Sequence, residues 1–180
     1  MRISRNARPL STAEQNIAKS VFHTSLPSYS KIVITDGLGI GDRPYTLNTG
    51  FFYELNLGPD VYPNAVDKTK KWDKETYDVL FIHEMTHVWQ YYHGYNVILS
   101  SMWANSLGDG YDCKAGKAWD SYNVEQQATL VEKWYENGMK GADPSYVYVT
   151  KIIRPGITGS NIIHRVIITM PYDELKKLDL

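Results

Sequence analysis

The apolar positions between Tyr77 and Tyr92 cover most of the surface of a helix, with Val79, Leu80, Ile82, Val88 and Trp89 forming a broad face that requires burial against a core. The run can start as early as Asp73 or Lys74. It stops at His93-Gly94, where Gly94 takes the usual left-handed capping position. Two other helices announce themselves by their starts. Ser11 with Glu14 is a capping box ahead of Ala13, Ile17, Ala18 and Val21, which predicts a helix from Thr12 to Phe22. Asn123 with Gln126 repeats the pattern and predicts a helix that runs to Glu136 and closes at Asn137-Gly138.

Residues 31–35 read as a short strand, and residues 45–47 and 50–55 as two more, joined by a turn at Asn48-Thr49-Gly50. The 50–55 strand is expected at the edge of the sheet beside the 77–92 helix, where an extended peptide can add to it. Residues 97–105 are expected to be helical, and 107–120 a polar connection. Residues 146–153 carry conflicting signals, since Asp143-Pro144 resembles a helix start while Val147, Val149 and Thr150 favour strand. Residues 162–169 read as a buried strand. The glycine-rich loop at 36–42 lacks the following helix of a phosphate cradle and reads as a flexible turn. These elements make an α+β fold with a small mixed sheet, one domain over residues 1–180, with no internal repeat.

Composition narrows the function. With 43% hydrophobic and 22% charged residues, the chain has the make-up of an ordinary globular protein. A net charge of −1 gives no electrostatic case for nucleic acid or an anionic membrane surface. No apolar stretch approaches a transmembrane length. The single cysteine, Cys113, excludes an intramolecular disulfide and a cysteine-based metal site. The basic start at Met1 to Arg5 lacks the apolar run of a signal peptide. That leaves action in the cytoplasm, export that reads no cleavable signal, or a domain cut from a longer chain.

Within the 77–92 helix lies His83-Glu84-Met85-Thr86-His87, an HExxH motif. Residues four apart on a helix differ by about 40°, so both imidazoles can reach one metal ion, with Glu84 near enough to handle the proton of an activated water. On a largely buried helix, two histidines and a glutamate are costly unless paired or metal-bound. A catalytic zinc takes three protein ligands, so a third is needed. His93 completes the spacing HxxQxxH, but Gln90 stands where metzincins have the glycine that turns the chain back. If the helix continues, His93 points about 120° from His87. Glu125, in the first turn of the helix that starts at Asn123, stands where gluzincins draw a glutamate ligand. Glu132, two turns further on, and Asp120 are alternatives.

The stretch from His83 to Gln90, followed by Tyr122 to Ala128, resembles the HExxH…E metallopeptidase-like domains of bacterial type VI secretion spike proteins of the VgrG type and of Rhs-type toxins. The resemblance covers about a third of the chain. It implies a zincin-like fold holding one Zn²⁺ through His83, His87 and Glu125, with Glu84 as base. It further implies an antibacterial effector, of the kind that forms the C-terminal toxin domain of a longer chain, delivered on a secretion spike into a rival's periplasm and matched by a cognate immunity protein. Thermolysin-like gluzincins carry an acid four residues after the ligand glutamate. Here that position is Thr129, which leaves the partner that orients His83 or His87 to be found.

The expected chemistry is peptide-bond cleavage in a protein or peptide substrate by metal-activated water. Among candidate oxyanion donors, Tyr91 lies one turn beyond His87 on the same face; Tyr122, His93 and His164 are candidates by residue type. The alternatives are a zincin-fold binding module that keeps zinc structurally, and a metal-free structural domain.

Overall fold

In the computed structural model, residues 6–97, 113–157 and 162–178 are described, the last segment with side chains from residue 166 onward. The order of elements is β1 (Ala7–Pro9), α1 (Thr12–Phe22), β2 (Ile32–Thr35), β3 (Tyr45–Asn48), β4 (Tyr53–Asn56), β5 (Lys71–Trp72), β6 (Glu75–Thr76), α2 (Tyr77–Tyr92), α3 (Val124–Glu136), α4 (Tyr146–Tyr148), α5 (Ile162–Thr169) and α6 (Tyr172–Leu175). Three-residue 3-10 turns precede β2, β3 and α3, and a π turn, Val149–Ile153, continues α4.

Both capping boxes form, each with reciprocal side-chain and backbone bonds. The first also anchors the sheet. The fully buried Glu14 carboxylate takes both arms of the Arg8 guanidinium on β1, at 2.8 and 2.7 Å, and the Ala65 amide at 3.2 Å. A three-residue strand and a long loop are thereby tied to α1.

The main sheet runs β1-β2-β4-β3 and is mixed, with β2 parallel to β4 and the other pairings antiparallel. Strand β4 is therefore interior, between β2 and β3. The expectation that residues 50–55 form the edge is corrected: β3 ends the sheet among the described residues, because β2 takes the far side of β4. Buried Ile32, Ile34 and Leu55 line the sheet's core.

Two further expectations are revised and one open reading is settled. Asp73 and Lys74 belong to the β5–β6 hairpin, where Asp73 has a positive φ of 53°, so α2 starts only at Tyr77. Residues 146–153 are helical, resolving their conflicting signals. Residues 162–169 form a helix instead of a strand. Ile167 and Ile168 are both buried while Val166 is half exposed, a grouping that suits a helical face. The expected 97–105 helix falls outside the described residues. Gly94 ends α2 with a φ of 85°, as its position requires. No helix among the described residues is long and apolar enough to cross a membrane.

Candidate metal centre

Every residue of α2 from Tyr77 to Gln90 is buried. The helix packs on α3 along one side and against β3 along another. A helix so enclosed cannot leave polar side chains without partners. Thr86 returns its hydroxyl proton to the Ile82 carbonyl, and Asp78 accepts from the Tyr135 hydroxyl at 2.8 Å. The remaining polar groups, His83, Glu84, His87 and Gln90, converge with Glu125 of α3.

Nε2 of His83 and Nε2 of His87 are 3.2 Å apart, and Oε2 of Glu125 lies 3.2 Å from the first and 3.3 Å from the second. All three side chains are buried. Among the described residues, they are the one group of histidine, cysteine and carboxylate side chains so placed for an ion. The capping box at Asn123 fixes the first turn of α3 and so the placement of Glu125.

The other ring nitrogens fix the tautomer that each ring adopts when neutral. The Gln90 amide nitrogen donates to the Val124 carbonyl and to Gln127 Oε1, each at 2.9 Å, which turns Gln90 Oε1 toward His87 Nδ1 at 2.7 Å. That nitrogen must therefore carry the proton. On the other ring, Nδ1 of His83 meets Glu132 Oε2 at 2.5 Å and likewise donates. With both Nδ1 atoms protonated, neutral imidazoles present two bare Nε2 lone pairs to each other and to a carboxylate oxygen. Three lone pairs about 3.2 Å apart repel unless a cation or a shared proton lies among them. A tetrahedral zinc with arms of about 2.0–2.1 Å needs ligand atoms about 3.3–3.4 Å apart, which this triangle matches. The donor set fits the ion.

Ionisation follows the same logic. Burial disfavours a charge on His83, but Glu132 and Glu125 outweigh it and hold its pKa well above the ordinary value. For His87 burial is again opposed, here by Glu125, with a net rise. Burial alone would raise the Glu125 carboxyl; His87 and His83 instead hold it well below the usual carboxylate range.

Glu84 is buried beside the triangle, and Thr46 of β3 donates its hydroxyl to Glu84 Oε2 at 2.7 Å. Tyr91 is seven residues beyond Glu84, on the same helical face. Its hydroxyl is buried and has no hydrogen-bond partner among the described residues, and burial together with the Glu84 charge pushes it up to about 12.

The other candidates lie elsewhere. His93 bonds the Ser25 carbonyl through Nε2 at 2.9 Å and packs on the Trp89 ring, so it is not part of the cluster. Tyr122 donates to the Lys114 carbonyl and accepts from the Lys117 amide, a structural task. Asp120 is exposed on a 3-10 turn, and the side chain of His164 falls outside the described residues. Glu132, weighed above as a ligand, holds the far nitrogen of His83 instead. Gln90 was seen in the sequence only as a missing glycine. Its spacing of three from His87 was the available signal for its contact.

No family model matches the chain. A curated relative, the type VI secretion system spike protein VgrG2b of Pseudomonas aeruginosa, is 32% identical over 157 residues, which is 80% of this chain and 15% of that protein. A solved structure, the effector domain of the same protein, is 30% identical with a TM-score of 0.54, covering 78% of this chain and 81% of that domain. The chain belongs to the family of the VgrG2b effector domain. As a VgrG2b-type effector domain it spans about a seventh of the curated spike protein, and the shared region takes in both α2 and α3 by extent of coverage.

Proposed function

We propose that this domain is a zinc-dependent peptidase that acts as a secreted effector. The observation that carries the reading is the triangle of His83 Nε2, His87 Nε2 and Glu125 Oε2, with both histidine tautomers set by Gln90 and Glu132. A zinc ion held by these three atoms supplies a Lewis acid for the scissile carbonyl and lowers the pKa of an attacking water towards about 7.

The chain's own groups do the rest. Glu84 takes the proton of the attacking water and hands it to the leaving amine. The Tyr91 hydroxyl, buried and uncommitted, donates to the oxyanion as charge develops on the former carbonyl oxygen. Strand β3, at the end of the sheet and against α2, receives the substrate backbone as an added strand. Membership of the VgrG2b effector family supports export on a type VI secretion spike without a cleavable signal; action in the periplasm of a target cell, with an immunity protein protecting the producer, belongs to the proposal.

The test pairs metal content with turnover. The wild type is expected to bind about one zinc per chain and to cleave an unfolded protein or a cell-wall peptide, whereas Glu84→Gln keeps the zinc and loses at least about 100-fold in kcat. Full activity or toxicity in Glu84→Gln contradicts the peptidase reading and favours a binding module that keeps its metal.

A further inference from the structure

Thr46 occupies the second position of β3, and its side chain crosses from the sheet to α2. Its Oγ1 lies 2.7 Å from Glu84 Oε2 and 3.1 Å from the Glu84 carbonyl oxygen, so one hydroxyl proton spans the side chain and backbone of a single residue. Thr46 is 6% exposed and Glu84 4%. Among the described residues, no other group hydrogen-bonds this carboxylate. A buried carboxylate with one donor has its orientation set by that donor.

The strand carrying the hydroxyl is also the edge of the sheet among the described residues. The Thr49 amide bonds the Phe52 carbonyl across the turn, which makes that pair a hydrogen-bonded one. Alternation along the antiparallel ladder puts Leu47 with Glu54 and Tyr45 with Asn56 in the same class, and leaves Thr46 with Leu55 in the other. The amide and carbonyl of Thr46 therefore point away from β4, to the side on which the described sheet ends. An extended chain adding at that edge hydrogen-bonds the backbone of Thr46, whose side chain simultaneously holds Glu84.

We propose that Thr46 is a positioning residue that locks the Glu84 carboxylate for proton transfer and ties it to substrate addition at β3. The inference rests on the reading of Glu84 as the base. Threonine suits the task because its branched Cβ restricts χ1, so the hydroxyl is held toward α2. Serine retains the donor with looser aim, and valine keeps the shape without it.

The experiment uses the zinc-loaded domain as Thr46→Val, Thr46→Ser and Glu84→Gln, with an unfolded fluorescently labelled protein as probe. For Thr46→Val, kcat is expected to fall about 10- to 100-fold at unchanged KM and zinc content, and Thr46→Ser to recover activity to within about threefold of wild type. A Thr46→Val enzyme with wild-type kcat overturns the proposal, as does a fall that serine fails to reverse. Turnover unaffected by Glu84→Gln instead brings down the peptidase reading. The position of Thr46 is then decided by crystal structures of wild type and Thr46→Val. A Glu84 carboxylate that turns away from residue 46 upholds the lock, and one that stays within about 0.5 Å refutes it.

Discussion

Glu132 holds the far side of the ring that Glu125 approaches from the front: its Oε2 meets Nδ1 of His83 at 2.5 Å, while Glu125 Oε2 lies 3.2 Å from Nε2. The two glutamates are seven residues apart on α3 and share a face, so one helix supplies both a candidate ligand and the carboxylate that orients another. Replacing Glu132 by Gln keeps a hydrogen-bond acceptor but removes the charge. Zinc affinity is expected to fall about 10- to 100-fold, measured by competition with a chromophoric chelator. Unchanged affinity contradicts the role.

Gln90 links three groups at once, so its loss reaches beyond the metal. In Gln90→Leu, His87 Nδ1 loses its acceptor, and Val124 O and Gln127 Oε1 lose a donor. Unfolding free energy is expected to drop by about 1–3 kcal/mol, together with weaker zinc binding. Denaturant titration of the metal-free protein separates the first effect from the second.

Tyr91→Phe is expected to separate stability from turnover. The phenol oxygen is buried without a partner among the described residues, so removing it leaves the free protein unharmed or stabilises it by about 1 kcal/mol. The same change is expected to lower kcat about 100-fold, because a donor to the oxyanion is lost. Thermal unfolding and steady-state kinetics on one preparation check both halves; a destabilised variant of normal kcat contradicts the assignment.

Protons and zinc compete for the same nitrogens. Against the opposing effect of burial, Glu132 and Glu125 raise the pKa of His83, so the metal-free protein holds a proton there to higher pH than an ordinary histidine. Zinc binding must release it, and affinity is expected to rise with pH by about tenfold per unit for each proton displaced, until the raised pKa is passed. Isothermal titration in buffers of different ionisation heat counts those protons.

The Arg8–Glu14 pair governs stability at the other end of the sheet. Burial alone would raise the Glu14 carboxyl, but Arg8 and the Ser11 amide hold it below its ordinary 4.5. A depressed folded-state pKa means the stabilisation is present above about 4.5 and is lost as the pH falls through the lower folded value. Glu14→Gln is expected to cost about 2–4 kcal/mol at neutral pH and to flatten the acid limb of the stability profile. An acid limb as steep as wild type's tells against this pair.

What the sequence conveyed was local. Ser11 with Glu14 and Asn123 with Gln126 mark their helices because a capping box is complete within four residues, and Gly94 marks a helix end because its conformation excludes other residues. Strand order was not legible: β4 becomes interior only through its parallel pairing with β2, a contact between residues some twenty positions apart. The two-residue strands β5 and β6 have no periodicity to read. Residues 162–169 mislead because Ile and Val favour strands while tertiary packing makes them helical. At the site, the HExxH spacing displayed two ligand candidates. The role of Glu132, and the orientation that Val124 and Gln127 impose on Gln90, depended on how α3 crosses α2, which no local pattern encodes.

The most direct measurement of the central claim is zinc content by elemental analysis of the purified wild type beside His83→Ala, Glu125→Ala and His93→Ala. The account predicts about one zinc per chain in wild type and His93→Ala, and loss of the metal in the other two. A wild type that binds no zinc, or a Glu125→Ala variant that binds it as before, would contradict it.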